Sequence, residues 1–477
     1  MPTLRSYLCR CLVSACLLAS GGASCGANAP DVTAIIGATV IHPERGPSEA
    51  ATPDTTVMIV GNRIQSVGPA HTTVVPTGAR IIDGRGKWLI PGLIDAHVHF
   101  DQSGSLYARP DIADFTSWMP YPREQARNRA RLPATLRAWL ASGVTGVVDI
   151  GGPNWTFEVR EIARRTAEAP RVVVAGPLVL MVARPQLDLG DLSIVRVRTP
   201  EEARALVVRT LRQRPDWIKV WFIHHDGDDL AVQEAIVKAA GDEAHNAGVR
   251  LAVHATELKV AKAALRAGAD YLVHSVEDEL VDQEFIDLAR KRKVLYCPTL
   301  FVYAGYGLAL SNSWRPTEAE QRLADPAVLG MMRDLDSIPA EHVPAWVRRM
   351  MRRGPTIKTS PAALANLRRV WDAGIPVVLG SDAGNIGSLH GPVVFREADL
   401  MVQAGLTPLE VLRAATTNGA TAIGMANDLG AVAPGRLADL AILDADPLVH
   451  VANLSRVDLI VKDGQVFEVS RLAGTDR

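Results

Sequence analysis

Two histidines spaced i, i+2 close an apolar run, Leu89-Ile90-Pro91-Gly92-Leu93-Ile94-Asp95-Ala96-His97-Val98-His99-Phe100. On a β-strand, residues two apart point to one face, so His97 and His99 can aim at a single point. Two converging imidazoles suit a divalent metal and leave its shell incomplete, so further ligands must come from elsewhere in the chain. Four residues stand at or near points where β-forming runs give way to polar residues: Lys219 in Asp216-Trp217-Ile218-Lys219-Val220, His254, His274 and Asp382. Each also has a structural reading, since a buried histidine can simply be hydrogen-bonded and an aspartate at a strand end often caps the next helix. Lys219 fits that reading least, because a lysine within an apolar strand is rarely buried unpaired.

The elements that must position these residues alternate strand and helix. Helical patterns over Pro133 to Ser142, Thr199 to Gln213, Leu230 to Ala247 and Leu258 to Ala267 each precede a short apolar run. Besides the strand ending at His99, the runs are Val144 to Ile150, Arg171 to Leu180, Trp217 to Ile223, Val249 to His254, Ala269 to His274, Val294 to Thr299 and Ile375 to Asp382. Eight βα units predict an α/β fold, a (β/α)8 TIM barrel over residues 90–429, with its chemistry at the C-terminal ends of the strands. Short alternating runs with Gly-Asn and Asp-Gly turn pairs predict a small β-sandwich domain built from both termini, residues 30–89 and 430–477. A long insertion, residues 300–367, carries Trp314, Trp346 and a basic amphipathic helix from Val347 to Arg353 whose arginines read as a solvated face. Loops of this length form lids, substrate walls or subunit contacts, the last of which leaves a homo-oligomer open.

The series His97-x-His99, Lys219, His254, His274 and Asp382 resembles the ligand order of the amidohydrolase superfamily in its binuclear form. The resemblance runs from about Ala34 to Phe467 and includes Leu89 to Asp95, Gly380-Ser381-Asp382-Ala383-Gly384 and the stretch from Leu429 to Leu440. Within the superfamily the chain looks most like the branch of imidazolonepropionase-like proteins and Xaa-Pro dipeptidase-like hydrolases. The resemblance implies that His97, His99 and Asp382 hold a first metal, that His254 and His274 hold a second, and that Lys219 bridges them. For that role the lysine would be carboxylated by carbon dioxide to an anionic ligand. The two divalent ions implied are Zn²⁺ first, with Mn²⁺ or Co²⁺ also suited to imidazole and carboxylate. A water shared by two cations loses a proton near neutral pH and becomes the nucleophile. Asp382 would take that proton and pass it to the leaving nitrogen, so it is both ligand and catalyst.

The expected reaction is hydrolysis of an amide-type C–N bond in a small molecule, with a dipeptide or N-acyl amino acid as first candidate. Three rivals stand beside it: a mononuclear deaminase, a cyclic-amide hydrolase, and a non-catalytic binding protein on the same fold. Glu257, three residues after His254, would serve the deaminase or simply supply an N-terminal helix charge. Lys219 opposes the deaminase, because a mononuclear site needs no bridge. For substrate contacts the candidates are His224 and His225 after the Trp217 run, Tyr303 at the start of the insertion, and Arg109 and Arg184 in loops, the arginines suited to a carboxylate. His390 in Ser388-Leu389-His390-Gly391 has no assigned role.

Composition sets the outer limits. Lys plus Arg number 51 against 52 acidic residues in 477, with no long run of either sign, which argues against a nucleic-acid partner or a polybasic membrane surface. Residues 1–29 combine Arg5 and Arg10, an apolar run and a small-residue zone, the pattern of a secretory signal rather than a spanning helix. Four of five cysteines, Cys9, Cys11, Cys16 and Cys25, fall there, and Cys16 and Cys25 each resemble a bacterial lipoprotein site. The expectation is export to the periplasm, either soluble or as a lipid-anchored lipoprotein, with Cys297 left without an internal disulfide partner.

Overall fold

The computed structural model describes residues 32–474; the expected export signal and its four cysteines lie outside the described residues. Both ends of the described chain share one sheet. Its order runs Gln465–Glu468, Val457–Lys462, Leu440–Leu443, Trp88–Pro91, Val32–Ile41, Ala51–Val60 and Arg63–Pro69, with Arg80–Asp83 pairing beside Val32–Ile41. All eight strands belong to one continuously paired mixed sheet. Alternating apolar residues, Val57 and Ile59, Leu440 and Ile442 among them, bury one face into a common core.

At Gly92 the chain leaves this sheet. The Gly92 N–H donates to Asp439 O at 2.9 Å, and the next N–H, of Leu93, donates to Gly143 O at 2.9 Å in the central domain. A Cβ on Gly92 would lie 2.2 Å from Thr145 Oγ1, so no larger residue fits this crossover without displacement.

Seven of the eight expected runs hold parallel strands: Leu93–Val98, Val144–Asp149, Arg171–Val174, Trp217–Trp221, Arg250–His254, Tyr271–Val273 and Leu295–Cys297. The eighth pairs through isolated bridges, Val377 with Tyr296 and Ala383 with Val98, which link the seventh strand to the first. Arg171 to Leu180 departs from expectation by dividing into Arg171–Val174 and Leu178–Leu180, which join different sheets. Gly176 between them has φ +78, and a Cβ there would lie 2.6 Å from Phe157 Cζ, so the chain breaks where only glycine fits. Alternate strand residues Ile94, Ala96, Val148, Trp217, Ala252 and Tyr271 join one buried cluster, while Leu93, Val147, Ile218 and Val253 pack with the helices.

The expected helices form over Tyr121–Ala141, Pro200–Leu211, Leu230–Asn246 and Leu258–Arg266. Thr199 and Asp229 cap the second and third by accepting from backbone N–H groups. The first begins upstream of Pro133, which lies inside the helix instead of opening it. The long insertion is built from helices Phe301–Leu310, Glu318–Leu323, Pro326–Met331, Ala345–Arg353 and Pro361–Asp372. With Leu106, Tyr107, Ala113 and Phe115 of the first loop it forms a separate apolar cluster. Ala345–Arg353 contributes Val347 and Met350 to that cluster and turns Arg349, Arg352 and Arg353 to solvent. Among the described residues no helix is long and apolar enough to cross a membrane.

Candidate metal centre

One cavity of about 230 Å³ opens at the C-terminal ends of the parallel strands, and all six ligand candidates line it: His97, His99, Lys219, His254, His274 and Asp382. Each arrives there by strand geometry. Trp217, Lys219 and Trp221 occupy one face of Trp217–Trp221 by period two, so Trp217 fills the core below while Lys219 and Trp221 face the cavity. His274 and Asp382 turn in through left-handed backbone, φ 72 and φ 55, a conformation that non-glycine residues hold at a cost.

The geometry is tightest around Asp382. Its Oδ1 lies 3.2 Å from Nε2 of both His97 and His99, and the two Nε2 atoms are themselves 3.2 Å apart. Ligand atoms of His97, His274 and Asp382 all fall within 4.8 Å of one another. The His254 ring lies beside His274, with centroids 4.4 Å apart. His99 Nδ1 donates to Gly151 O at 2.7 Å, which directs Nε2 to the cavity. His274 Nδ1 pairs with Thr299 Oγ1 at 2.6 Å in the same way.

Burial and Asp382 together set the charges: at His99 the carboxylate outweighs burial and holds the imidazole up to about 9. Burial lowers the Lys219 ammonium to about 7, against the opposing pull of Asp382, so much of this lysine is neutral amine at neutral pH. Burial also lowers His254 and His274 well below their ordinary range, keeping lone pairs available. For Asp382 burial acts upward but the facing imidazoles outweigh it, and the carboxyl sits well below its usual value. Asp382 Oδ1 and His97 Nδ1 are buried without a hydrogen-bond partner. Two imidazole nitrogens and an ionised carboxylate converging at 3.2 Å, with the carboxylate oxygen buried among them, fit a bound cation.

The substrate candidates divide. Tyr303, Arg109 and Arg184 line the cavity, whereas His224 and His225 do not. His224 Nδ1 lies 2.8 Å from Gln233 Oε1 on the following helix, and His225 is exposed near Asp228, because the chain has already turned toward the Asp229 cap. Trp221 and Ile223 take the wall positions instead. Arg109 is buried and held by Asp101 at 2.8 Å and Asp191 at 2.9 Å, with Tyr121 and Ser193 completing the network. It is therefore a loop anchor more than a free cation. Glu257 precedes Leu258–Arg266 and pairs with Lys259 at 3.2 Å outside the cavity, as a helix-end charge. His390 packs against Phe100 and Trp139, with Nε2 3.0 Å from His99 O, and so supports a ligand's backbone.

Sequence reasoning missed Asp111, Tyr306 and Asn385, which also line the cavity, and Glu277, whose carboxylate bonds Tyr303. These sit in loops or on the insertion helix Phe301–Leu310, where no spacing rule marks them.

Comparison with known proteins follows the same lines. The family model described as "Amidohydrolase family" matches residues 88–467. The chain is similar to an imidazolonepropionase of Geobacillus thermodenitrificans, 31% identical over 149 residues, covering 28% of this chain and 35% of that protein. The match thus spans only about a third of that curated relative. Among solved structures it is similar to a Xaa-Pro dipeptidase with methionine bound in the active site, at 22% identity and TM-score 0.68, covering 92% of this chain and 100% of the other. A second is the ochratoxinase of A. niger, at 21% identity and TM-score 0.66, covering 92% and 96%. At these identities the likeness shows a shared fold, the TIM barrel with mixed α and β content. With most of its length matched and its strand ends carrying this cluster, the chain belongs to the amidohydrolase family.

Proposed function

We propose that the protein is a metal-dependent hydrolase of an amide-type C–N bond in a small molecule, with a dipeptide or N-acyl amino acid as substrate. The observation that carries this reading is the convergence of His97, His99 and Asp382 at 3.2 Å in a cavity that also holds Lys219, His254 and His274. His97, His99 and Asp382 would hold one divalent ion, His254 and His274 a second, and Lys219, once carboxylated, both. The amine of Lys219, held to about 7 by burial, is suited to react with carbon dioxide because only the neutral form is nucleophilic. Two such ions, Zn²⁺ by donor type, would supply an acidic water and a Lewis acid for the carbonyl oxygen.

The protein's own part is positional. Asp382, ionised and 4% exposed, is placed to accept a proton from water and return it to the departing nitrogen. Gly151 O and Thr299 Oγ1 fix the rings of His99 and His274. Ile112, Leu178, Ile194 and Val302 supply apolar wall that excludes water around the substrate. The deaminase alternative is disfavoured by Glu257 lying outside the cavity.

The test compares matched amides with and without a free carboxylate, using the zinc-loaded chain before and after chelation. Chelator-sensitive turnover of the carboxylate set supports the reading. Turnover confined to carboxylate-free amides would redirect it to a general amidase, and turnover that survives chelation would overturn it.

A further inference from the structure

Outside the metal cluster, four charged residues line the cavity: Asp101, Arg109, Asp111 and Arg184. The first two neutralise each other, at 2.8 Å, with Asp191 adding a further carboxylate to Arg109. The second two are different. Asp111 accepts only the Ile112 backbone N–H, at 2.8 Å, and no ion pair within 4.0 Å forms to it among the described residues. Arg184 has no side-chain hydrogen bond or ion pair there either; its guanidinium lies over the Trp221 ring, 5.3 Å from the centroid. Stacking holds the guanidinium against the wall while leaving its N–H donors unused. A half-buried cavity thus presents one negative and one positive group, each without a partner on the protein.

Unpaired charges facing a cavity are costly unless a ligand completes them. Burial lifts the Asp111 carboxyl to about 6, against the Ile112 N–H and the charges of Arg109 and Arg184, which favour its ionised form. Trp221 also touches the metal cluster, its ring 5.8 Å from that of His254, so Arg184 stands close to where the scissile bond would lie. An N-acyl amino acid could satisfy Arg184 but would leave Asp111 against an uncharged acyl group. A neutral amide would satisfy neither.

Resting on the hydrolase reading above, we infer that the substrate is a zwitterion, an unblocked dipeptide whose C-terminal carboxylate is received by Arg184 and whose N-terminal ammonium is received by Asp111. Hydrolysis breaks the single C–N bond between the two residues: water gives its hydroxyl to the acyl carbon and a proton to the leaving nitrogen, releasing two free amino acids. Asp111 and Arg184 then set specificity while the metal cluster performs the chemistry. The apolar wall favours uncharged side chains on both.

The experiment uses the intact zinc-loaded chain and three probes with the same scissile bond: alanyl-leucine, its N-acetyl derivative and its C-terminal amide. The inference expects kcat/KM for the free dipeptide to exceed each blocked form by about tenfold or more, roughly the worth of one charge-assisted pair. Asp111→Asn should erase the discrimination against the N-acetyl form while leaving that against the amide, and Arg184→Gln should do the reverse. Equal rates for all three probes in the parent protein, or discrimination that persists in both variants, would overturn it. Calorimetric binding of the same probes separates this inference from the hydrolase reading. Ranked binding without turnover would remove the hydrolysis and support the zwitterion site; neither binding nor turnover of alanyl-leucine would remove the zwitterion site.

Discussion

Lys219 is 2% exposed on a strand whose other residues are apolar, and its amine is held to about 7 by that burial. A lysine kept there as a cation would need a carboxylate in contact, yet no ion pair to it forms among the described residues; a neutral or carboxylated form removes that cost. Lys219→Ala is therefore expected to remove turnover and to lower bound metal below two ions per chain, as read by elemental analysis of the purified variant. Asp382→Asn should fold and cost roughly 10²–10⁴-fold in kcat, the usual worth of a positioned acid–base group. Near-parental kcat in either variant would contradict the assigned roles. These candidate ligands were legible because each lies on or at the end of a β-forming run, and strand periodicity fixes which face a residue takes. Loop residues have no such rule: His224 and His225 looked adjacent to the site but turn to the next helix, while Asp111 gave no signal at all.

At the scale of elements, the wall of the cavity depends on how the insertion docks. Val302, Tyr303 and Tyr306 all stand on Phe301–Leu310, and the start of that helix is held by Glu397, whose carboxyl oxygens accept from the Leu300 and Phe301 N–H groups at 2.8 and 2.9 Å. Burial raises Glu397 to about 8 although those two hydrogen bonds oppose it. The folded state therefore keeps a proton there between roughly pH 4.5 and pH 8 that the unfolded chain gives up. This residue's contribution makes stability fall as pH rises through that window. Urea unfolding of the parent and Glu397→Gln at pH 5 and pH 8 checks this: the variant should lose less stability between the two pH values, and an equal loss would refute it. The same helix makes a second expectation. A Cβ on Gly307 would lie 2.0 Å from the Ile357 carbonyl oxygen, so Gly307→Ala should cost about 1–3 kcal/mol and raise KM by shifting the wall. Unchanged thermal stability together with unchanged KM would show that the insertion docks more loosely. The strand runs and the helices between several of them could be read from the apolar pattern, but the break at Gly176 could not, because the Phe157 ring that demands it is close only in the fold. The eighth run, Ile375 to Asp382, was readable, but not that it would pair only through bridges: its pairing is decided by neighbours on both sides, and the apolar pattern looks the same in either case.

Across the whole molecule, the two chain ends are tied to the central domain. Trp88–Pro91 pairs with Leu440–Leu443, and Arg171 of a central strand reaches Asp439 at 2.9 Å and also Asp463. That both termini would share a sheet was readable from their matching turn pairs; that the sheet would pair continuously was not, since partner choice among short strands is a tertiary outcome. Ions bound at the centre of such a structure should stabilise all of it. At free metal about 100-fold above Kd, each is worth about 2.7 kcal/mol, so chelation should lower the melting temperature and readdition should restore it. A melting temperature indifferent to chelator would count against a built metal site. The most direct trial of the account combines metal counting with turnover on one preparation: elemental analysis of the zinc-loaded chain beside its hydrolysis of alanyl-leucine. Two ions per chain, with turnover that disappears as they are withdrawn and returns as they are replaced, is the predicted result. Two bound ions without cleavage of any amide, or cleavage that persists in the metal-free chain, would contradict it.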